Sequence, residues 1–276
     1  MKLQKGELFD LTGKVVAATG GGGVLVGELC RGLAGMGAAI AVLDVNAEAA
    51  RKVAGEIRTA GAKAESHYID VLDKKTCEDA REAMVKELGE VDILINGAGG
   101  NRPGATTGQG QSFFDLDTEA IRGVFDLNFL GTLIPSQVFG KDMARRNNGA
   151  IVNISSMNSL RPLTRIPAYS ASKAAVSNFP QLLSVHMAME YSAVIRVNAI
   201  APGFFLTEQN RYLLTEEGSG ELTERGRTIL EHTPVGRFGE PGDLLGTVAW
   251  LCSSASAFVN GIVVPVDGGF SAYSGI

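Results

Sequence analysis

Residues 15–30 read VVAATGGGGVLVGELC: a strand-like run, four consecutive glycines, then the spacing of a helix. A strand feeding a glycine-rich turn and a helix brings backbone N–H groups and the positive helix end to one point. That arrangement suits a pyrophosphate and needs only close backbone approach. A glycine run by itself is equally compatible with an ordinary tight turn. The rest of the chain decides between the two.

The next apolar run, AVLDV, closes on Asp44, at the separation where a carboxylate bonds a ribose hydroxyl of a dinucleotide. The same charge repels the extra phosphate of NADP, so NAD is the expected cofactor. Asp44 also reads as a cap for the helix of NAEAARKV, and the two roles are compatible. Asp70-Val71 closes the third run. In all, KVVAAT, AAIAVLD, AESHYID, VDILINGAG, GAIVNISS, IRVNAIAPG and GIVVPVDGG alternate with helical segments such as residues 47–60, 75–88 and 119–146, the last behind Asp117 or Thr118 as cap. The pattern predicts an α/β fold, a single-domain Rossmann-like doubly wound parallel sheet of about seven strands with both faces covered. Residues 204–235 break the alternation with polar, Glu- and Thr-rich sequence. They read as a substrate lid above the carboxyl edge of the sheet, or as a solvated helical hairpin.

At 276 residues, 45% hydrophobic and 20% charged, the chain reads as one globular domain over residues 1–276. A net charge of -5, with Arg145-Arg146 as the densest cationic spot, excludes a nucleic-acid surface and points to a small-molecule partner. Cys30, Cys77 and Cys252 are isolated from one another, which argues against a disulfide framework or a metal site and fits a reducing cytoplasm. The opening MKLQKGELFDLTGK lacks the apolar core of an export signal. Residues 247–266 run twenty positions without a charge, but their serines, Asn260, Gly261 and Pro265 predict a buried helix ending near Ser253 and a buried strand at 262–266 rather than a membrane span.

PAYSASKAA places Tyr169 and Lys173 on one face of a helix. A tyrosine titrates at about 10, and an ammonium beside it favours the phenolate needed for acid–base work near neutrality. Alone, such a pair is more often a surface contact. Here Ser156 stands thirteen residues before Tyr169, and Asn128 lies upstream in FDLNFLG. With these residues the chain resembles the short-chain dehydrogenase/reductase family over nearly its whole length. The family's motifs fall on Thr19-Gly20 and the glycine loop, Asn96-Gly97-Ala98-Gly99, Asn128, Ser156 with Tyr169 and Lys173, Pro202-Gly203 followed by Thr207, and the closing VDGG.

The resemblance implies that Tyr169 exchanges a proton with the substrate oxygen, that Ser156 polarises that oxygen, that Lys173 holds the ribose and lowers the Tyr169 pKa, and that Asn128 supports a water-linked proton path. Ser155 is the rival for the role of Ser156. The implied cofactor contacts are Thr19, Gly20, Gly22, Gly23, Val24, Leu25, Asp44, Asp70, Val71, Asn96, Ala98, Gly99, Tyr169, Lys173, Pro202, Gly203 and Thr207. One departure stands out: the family loop is TGxxxGxG, and this chain carries Val24 and Val26 at the two later glycine positions, with Gly27 one place late. Val26 is expected to crowd the turn at a cost of about 1–3 kcal/mol. If the loop no longer holds a dinucleotide, the chain reads instead as a scaffold that kept the fold without turnover.

Within the family, GAGGNRPGATT, SSMNSLRPLTRIPAYSASKAA and VDGGFSAYSGI are similar to the branch acting on sugar acids, the D-mannonate oxidoreductases or fructuronate reductases. That similarity implies reversible reduction of a keto-uronic acid to an aldonic acid, with gluconate 5-dehydrogenase or a related keto-deoxy-sugar acid dehydrogenase as the alternative. An anionic polyol needs a cation for its carboxylate. Arg102, Arg161 and Arg165 are the arginine candidates, accompanied by Asn101 and Asn158. Relatives are commonly homotetramers, built through the counterparts of residues 119–146, 168–191 and 262–266.

Overall fold

A computed structural model describes residues 8–108, 110–206, 214–216 and 220–275. The chain runs β1 (Val15–Thr19), α1 (Val24–Gly35), β2 (Ala39–Asp44), α2 (Ala47–Thr59), β3 (Ala64–Tyr68), α3 (Lys74–Leu88), β4 (Ile93–Asn96), α4 (Thr118–Phe125), α5 (Gly131–Arg146), β5 (Ala150–Ile154), α6 (Pro167–Glu190), β6 (Arg196–Pro202), α7 (Glu224–Glu231), α8 (Leu245–Cys252) and β7 (Val263–Val266). The strands form one sheet in the order β3-β2-β1-β4-β5-β6-β7, and every neighbouring pair is parallel.

Side-chain alternation explains the two-sided core. Val16 and Ala18 of β1, Ile40 and Val42 of β2, and Ile93 and Ile95 of β4 pack on one face with α1, α2 and α8. Val15, Ala17, Ala41, Leu43 and Leu94 pack on the other with α3 and α5. Successive residues of a strand face opposite ways, so a run such as VVAAT must be apolar at every position to bury both. The strand order reverses between β1 and β4, and the crevice outside the carboxyl ends opens there.

Three expectations are refined. The helix over residues 119–146 is interrupted: α4, capped by Asp117 through Glu119 N–H at 3.0 Å, passes into a π turn at Asp126–Leu130 before α5. The segment 247–266 divides as predicted into α8 and β7, but β7 is half-exposed rather than buried, because it is the outermost strand. In β7 the carbonyls of Ile262 and Val266 accept N–H groups from β6 and the residue after it, which leaves Pro265 facing the open edge. Of residues 204–235, Thr215 bridges Leu222 in antiparallel fashion and α7 follows, while 207–213 and 217–219 lie outside the described residues. Arg145 and Arg146 are both taken up by acids, Glu90 at 2.6 Å and Asp92 at 3.2 Å respectively. Among the described residues no helix is long and apolar enough to cross a membrane.

Candidate active site

The glycine loop closes β1 onto α1 by backbone contacts alone. Gly21 N–H donates to the Leu43 carbonyl at 3.0 Å and Gly23 N–H to the Gly20 carbonyl at 3.0 Å. Gly20 has φ +68, and a Cβ there would stand 2.8 Å from Ala98 N; one on Gly21 would stand 2.8 Å from Val42 Cγ1, and one on Gly22 2.7 Å from Ala49 Cβ. All three are therefore glycine for want of space. Gly23 is the N-cap of α1 and offers no side chain, so the first N–H groups of the helix keep the partnerless, anion-receptive character of a bare helix start.

Val26 does not fill this cradle. It is 4% exposed and lies within the core, and a Cβ on Gly97 would stand 2.3 Å from its Cγ2. The space that a glycine in α1 would have provided is provided by Gly97 after β4. The expected crowding is thus absorbed across the contact, and the turn itself is not strained by Val26. Val24 is 42% exposed at the first position of α1, away from the packing, while Leu25 rests against the core. Gly27, one place late, still makes a close contact: a Cβ there would stand 3.2 Å from the Gly21 carbonyl oxygen.

Asp44 reaches into the loop, accepting Gly22 N–H at 2.9 Å through one oxygen and Asn46 N–H at 2.8 Å through the other. The helix-cap role read for Asp44 belongs to Asn46, whose side chain accepts the N–H groups of Glu48 and Ala49. Each Asp44 oxygen keeps acceptor capacity for a hydroxyl. Thr19, at the end of β1, accepts from Gly97 N–H at 3.2 Å and Ala98 N–H at 3.4 Å, tying the loop to the crevice floor. Asn96 is buried below and spends its amide on Ser136 and Asn153, both at 2.9 Å. Asp70 caps Leu72 N–H at 2.9 Å beyond β3, and Val71 packs toward Gly131. Pro202 ends β6, and Gly203 N–H donates to the Val266 carbonyl at 3.0 Å. Thr207 lies outside the described residues.

On the other side of the crevice, Ser156, Tyr169, Lys173 and Asn128 converge. Ser156 caps a short 3-10 turn at Met157–Ser159, which turns its hydroxyl toward the Tyr169 phenol of α6, close enough to oppose the effect of burial on it. Lys173 sits one turn after Tyr169 with Nζ 5.7 Å from the ring centroid, and donates to the Ile154 carbonyl at 2.8 Å. The π turn projects Asn128 inward: its amide donates to the Gly100 and Val124 carbonyls, both at 2.7 Å, and its oxygen accepts Gly100 N–H at 3.2 Å. A Cβ on Gly99 would stand 2.7 Å from Asn128 Oδ1 and 3.2 Å from Lys173 Nζ, so glycine keeps the space between the amide and the ammonium open.

The electrostatics differ from the expectation. Burial pushes the Tyr169 phenol above its ordinary range, opposed by the Ser156 hydrogen bond, and burial also pushes Lys173 down to about 8. Both groups share one dry pocket, and a low dielectric disfavours the charged form of each, so without a further positive charge the ammonium does not bring the phenol down. Ser155, the rival serine, points to the other side and contacts the Lys173 carbonyl at 3.0 Å and Ser177 Oγ at 2.7 Å.

Of the polar candidates around the mouth, Asn158 is buried and holds Leu163 N–H at 3.2 Å, a loop-building role, while Asn101 bonds Thr106 at 2.9 Å. Arg161 donates to the Ser271 carbonyl at 3.0 Å and fastens the C-terminal segment to the Ser156 loop. Arg102 lies along α4 at Gly123. Arg165 is exposed, adopts φ 74, and accepts Thr107 N–H at 2.8 Å through its carbonyl. Among the described residues neither Arg102 nor Arg165 has an acidic partner, whereas Arg31, Arg58, Arg81, Arg122, Arg145, Arg146 and Arg237 all do. Sequence reasoning missed Gly97 as the partner of Val26 and Ser159 and Ser177 behind Ser156; these are contacts between distant segments, and nothing local marks them.

Known proteins are similar to this chain over nearly its whole length. An uncharacterized oxidoreductase of Bacillus subtilis, UxuB, is 48% identical over 276 residues, covering 97% of this chain and 98% of that one. A 5-keto-D-gluconate 5-reductase of Escherichia coli is 32% identical over 263 residues, covering 95% of this chain and 97% of that one. A solved structure from Haemophilus influenzae, provisionally described as a D-mannonate oxidoreductase and carrying bound NAD, superposes with a TM-score of 0.91 at 49% identity and covers 97% of this chain and 98% of that one. The family model for short chain dehydrogenase matches residues 14–218, which takes in the glycine loop and the Ser156–Tyr169–Lys173 cluster, and the chain therefore belongs to the short-chain dehydrogenase family of oxidoreductases.

Proposed function

We propose that the chain is an NAD-linked oxidoreductase that interconverts a keto-uronic acid and an aldonic acid, with D-fructuronate and D-mannonate as the pair. The observation that carries the reading is the convergence of the Ser156 and Tyr169 hydroxyls beside Lys173 at the carboxyl edge of the sheet. The glycines that a Cβ would fill, the bare start of α1 and the Asp44 carboxylate fit a dinucleotide. When bound, a nicotinamide dinucleotide supplies or accepts the hydride.

The chain's own residues handle the rest. Tyr169, which carries its proton at neutral pH, is the acid that donates to the carbonyl oxygen in the reducing direction. The Ser156 hydroxyl donates to the same oxygen, where negative charge develops. Lys173 holds its ammonium against the Ile154 carbonyl beside the Tyr169 ring and faces the Gly99 gap where a ribose would lie. Asn128 orders the Gly99-Gly100 backbone beside that gap. Asp44 selects NAD by offering acceptors to two ribose hydroxyls and repelling a phosphate. Arg102 and Arg165 are the candidates for the substrate carboxylate, and residues 204–235 would close over it.

The resemblance to a 5-keto-D-gluconate 5-reductase favours a second reading, a gluconate 5-dehydrogenase. Both readings are separated by one panel: keto-uronates and hexonates assayed with NADH/NAD and NADPH/NADP. Turnover greatest with fructuronate and NADH supports the first; turnover confined to 5-ketogluconate supports the second; hydride transfer to neither class overturns both.

Assembly as a homotetramer follows the family pattern. Leu182, Val185 and Met189 form an exposed apolar stripe on α6, and β7 is half-exposed. Light scattering on the eluted protein tests this, and a monomeric mass would overturn it.

A further inference from the structure

Behind the Ser156–Tyr169 pair lies a chain of three more hydroxyls that the proposed chemistry does not use. Ser155 and Ser177 are buried, and Ser159 is half-buried at the outer end. Ser155 Oγ lies 3.0 Å from the Lys173 carbonyl and 2.7 Å from Ser177 Oγ. Ser177 Oγ lies 2.6 Å from Ser159 Oγ, and Ser159 Oγ lies 2.7 Å from the Ser156 carbonyl.

These four contacts have only three protons to share, one per hydroxyl. Two hydroxyl oxygens at such separations need a proton between them, and a carbonyl receives but never gives. Two orders meet this condition: Ser155 donates to Ser177, Ser177 to Ser159 and Ser159 to the Ser156 carbonyl, or the order is reversed and ends with Ser155 donating to the Lys173 carbonyl. In either order both hydroxyl–hydroxyl contacts are bridged, so Ser159 on the loop is joined through Ser177 to α6.

We propose that Ser155, Ser177 and Ser159 are positioning residues, whose hydroxyl chain locks the loop carrying Ser156 to α6 and so sets the Ser156 hydroxyl against the Tyr169 phenol. The proposal rests on the roles given to Ser156 and Tyr169 above. Tyr169, Lys173 and Ser177 share one helix, whereas Ser156 stands on the loop after β5. A lock between the two elements is what keeps the pair in register. Breaking it in the middle strands two hydroxyls without their partner in a buried site.

Ser177→Ala is the test, read by tyrosinate absorbance against pH in the cofactor-free protein. Subtracting a Tyr169→Phe titration isolates Tyr169. The Ser156 hydroxyl pulls Tyr169 down against burial, so loss of alignment moves its midpoint upward by roughly one pH unit. In turnover, kcat falls roughly tenfold while KM for substrate and for NAD stays put, as misplacement of a reacting group requires. Ser177→Thr, which keeps the hydroxyl, restores both readings. A Tyr169 titration superimposable on the parent, or Ala and Thr variants that behave alike, overturns the proposal. If Ser177→Ala does not fold, Ser159→Ala cuts the chain from its half-buried end and is read the same way. A parent enzyme without turnover on any sugar acid overturns the proposed function, and the titration still decides the chain.

Discussion

The corner between β1 and α1 and the corner between β5 and α6 face each other across the crevice and are built on opposite principles. The first works by omission: Gly20, Gly21 and Gly22 matter for the side chains they lack, and the loop carries only backbone donors and one carboxylate from the next strand. The second works by presence, with Ser156, Tyr169, Lys173 and Asn128 each holding a named partner. Space can be supplied by either party to a contact, which is why Val26 is accommodated when Gly97 gives way. A hydroxyl or an ammonium cannot be moved to a neighbour in the same manner.

The sharpest break of the comparison is on the side of presence. Tyr169→Phe removes the acid and is expected to lower kcat by about 10²–10⁴-fold with little change in NAD affinity, measured by steady-state kinetics and NADH fluorescence titration. Near-normal turnover would refute the assignment.

On the side of omission, Gly97→Ala places a methyl against Val26 Cγ2 and is expected to cost about 1–3 kcal/mol of unfolding free energy in urea. Adding Val26→Ala should return part of that loss, since the Thr19 carbonyl oxygen, 2.9 Å from the new Cβ, still has to move, and additive costs in the double-mutant cycle would show that the two residues do not share the space.

A smaller effect belongs to the carboxylate that bridges the two principles. Asp44→Ala should reduce the preference for NAD over NADP by roughly tenfold in kcat/KM, or about 1.4 kcal/mol, and an unchanged ratio would remove Asp44 from cofactor selection.

The last is a pH effect. Lys173 titrates at about 8 in the folded chain and near its ordinary value, about 10.4, when unfolded. Between those values the unfolded chain binds more protons, so this group makes stability rise with pH across that window. The three buried cysteines, pushed up to about 12, act in the opposite sense there. The difference between parent and Lys173→Met isolates the lysine: the parent's stability should gain on the variant's from pH 8 to 10, and parallel curves would contradict a dry ammonium.

The same division explains what was legible in the sequence. The seven strands were readable because a parallel strand buried on both sides must be apolar throughout, and the Tyr169–Lys173 pair was readable because a helix fixes what lies one turn apart, whereas Ser156, on the loop after β5, was pointed to by family resemblance. The interruption at Asn128 was not, since a π turn has no local residue signature in FDLNFL. Nor was the Val26–Gly97 contact, whose partners are far apart in the chain. The direction of the Tyr169 shift was misjudged for a related reason: spacing reveals a neighbouring ammonium but not how dry the pocket is. Asp44 was placed correctly at the end of β2, yet its cap role went to Asn46, two residues on, because the backbone of the first helical turn reaches that side chain instead.

Pro265 has a consequence for solubility. An outermost strand displays a row of unused donors and acceptors that can recruit a strand from another molecule, and the proline removes a donor on the outward side. Misassembly by strand addition is thereby discouraged at the short β7 edge, while the face of β7 stays available to an orderly neighbour.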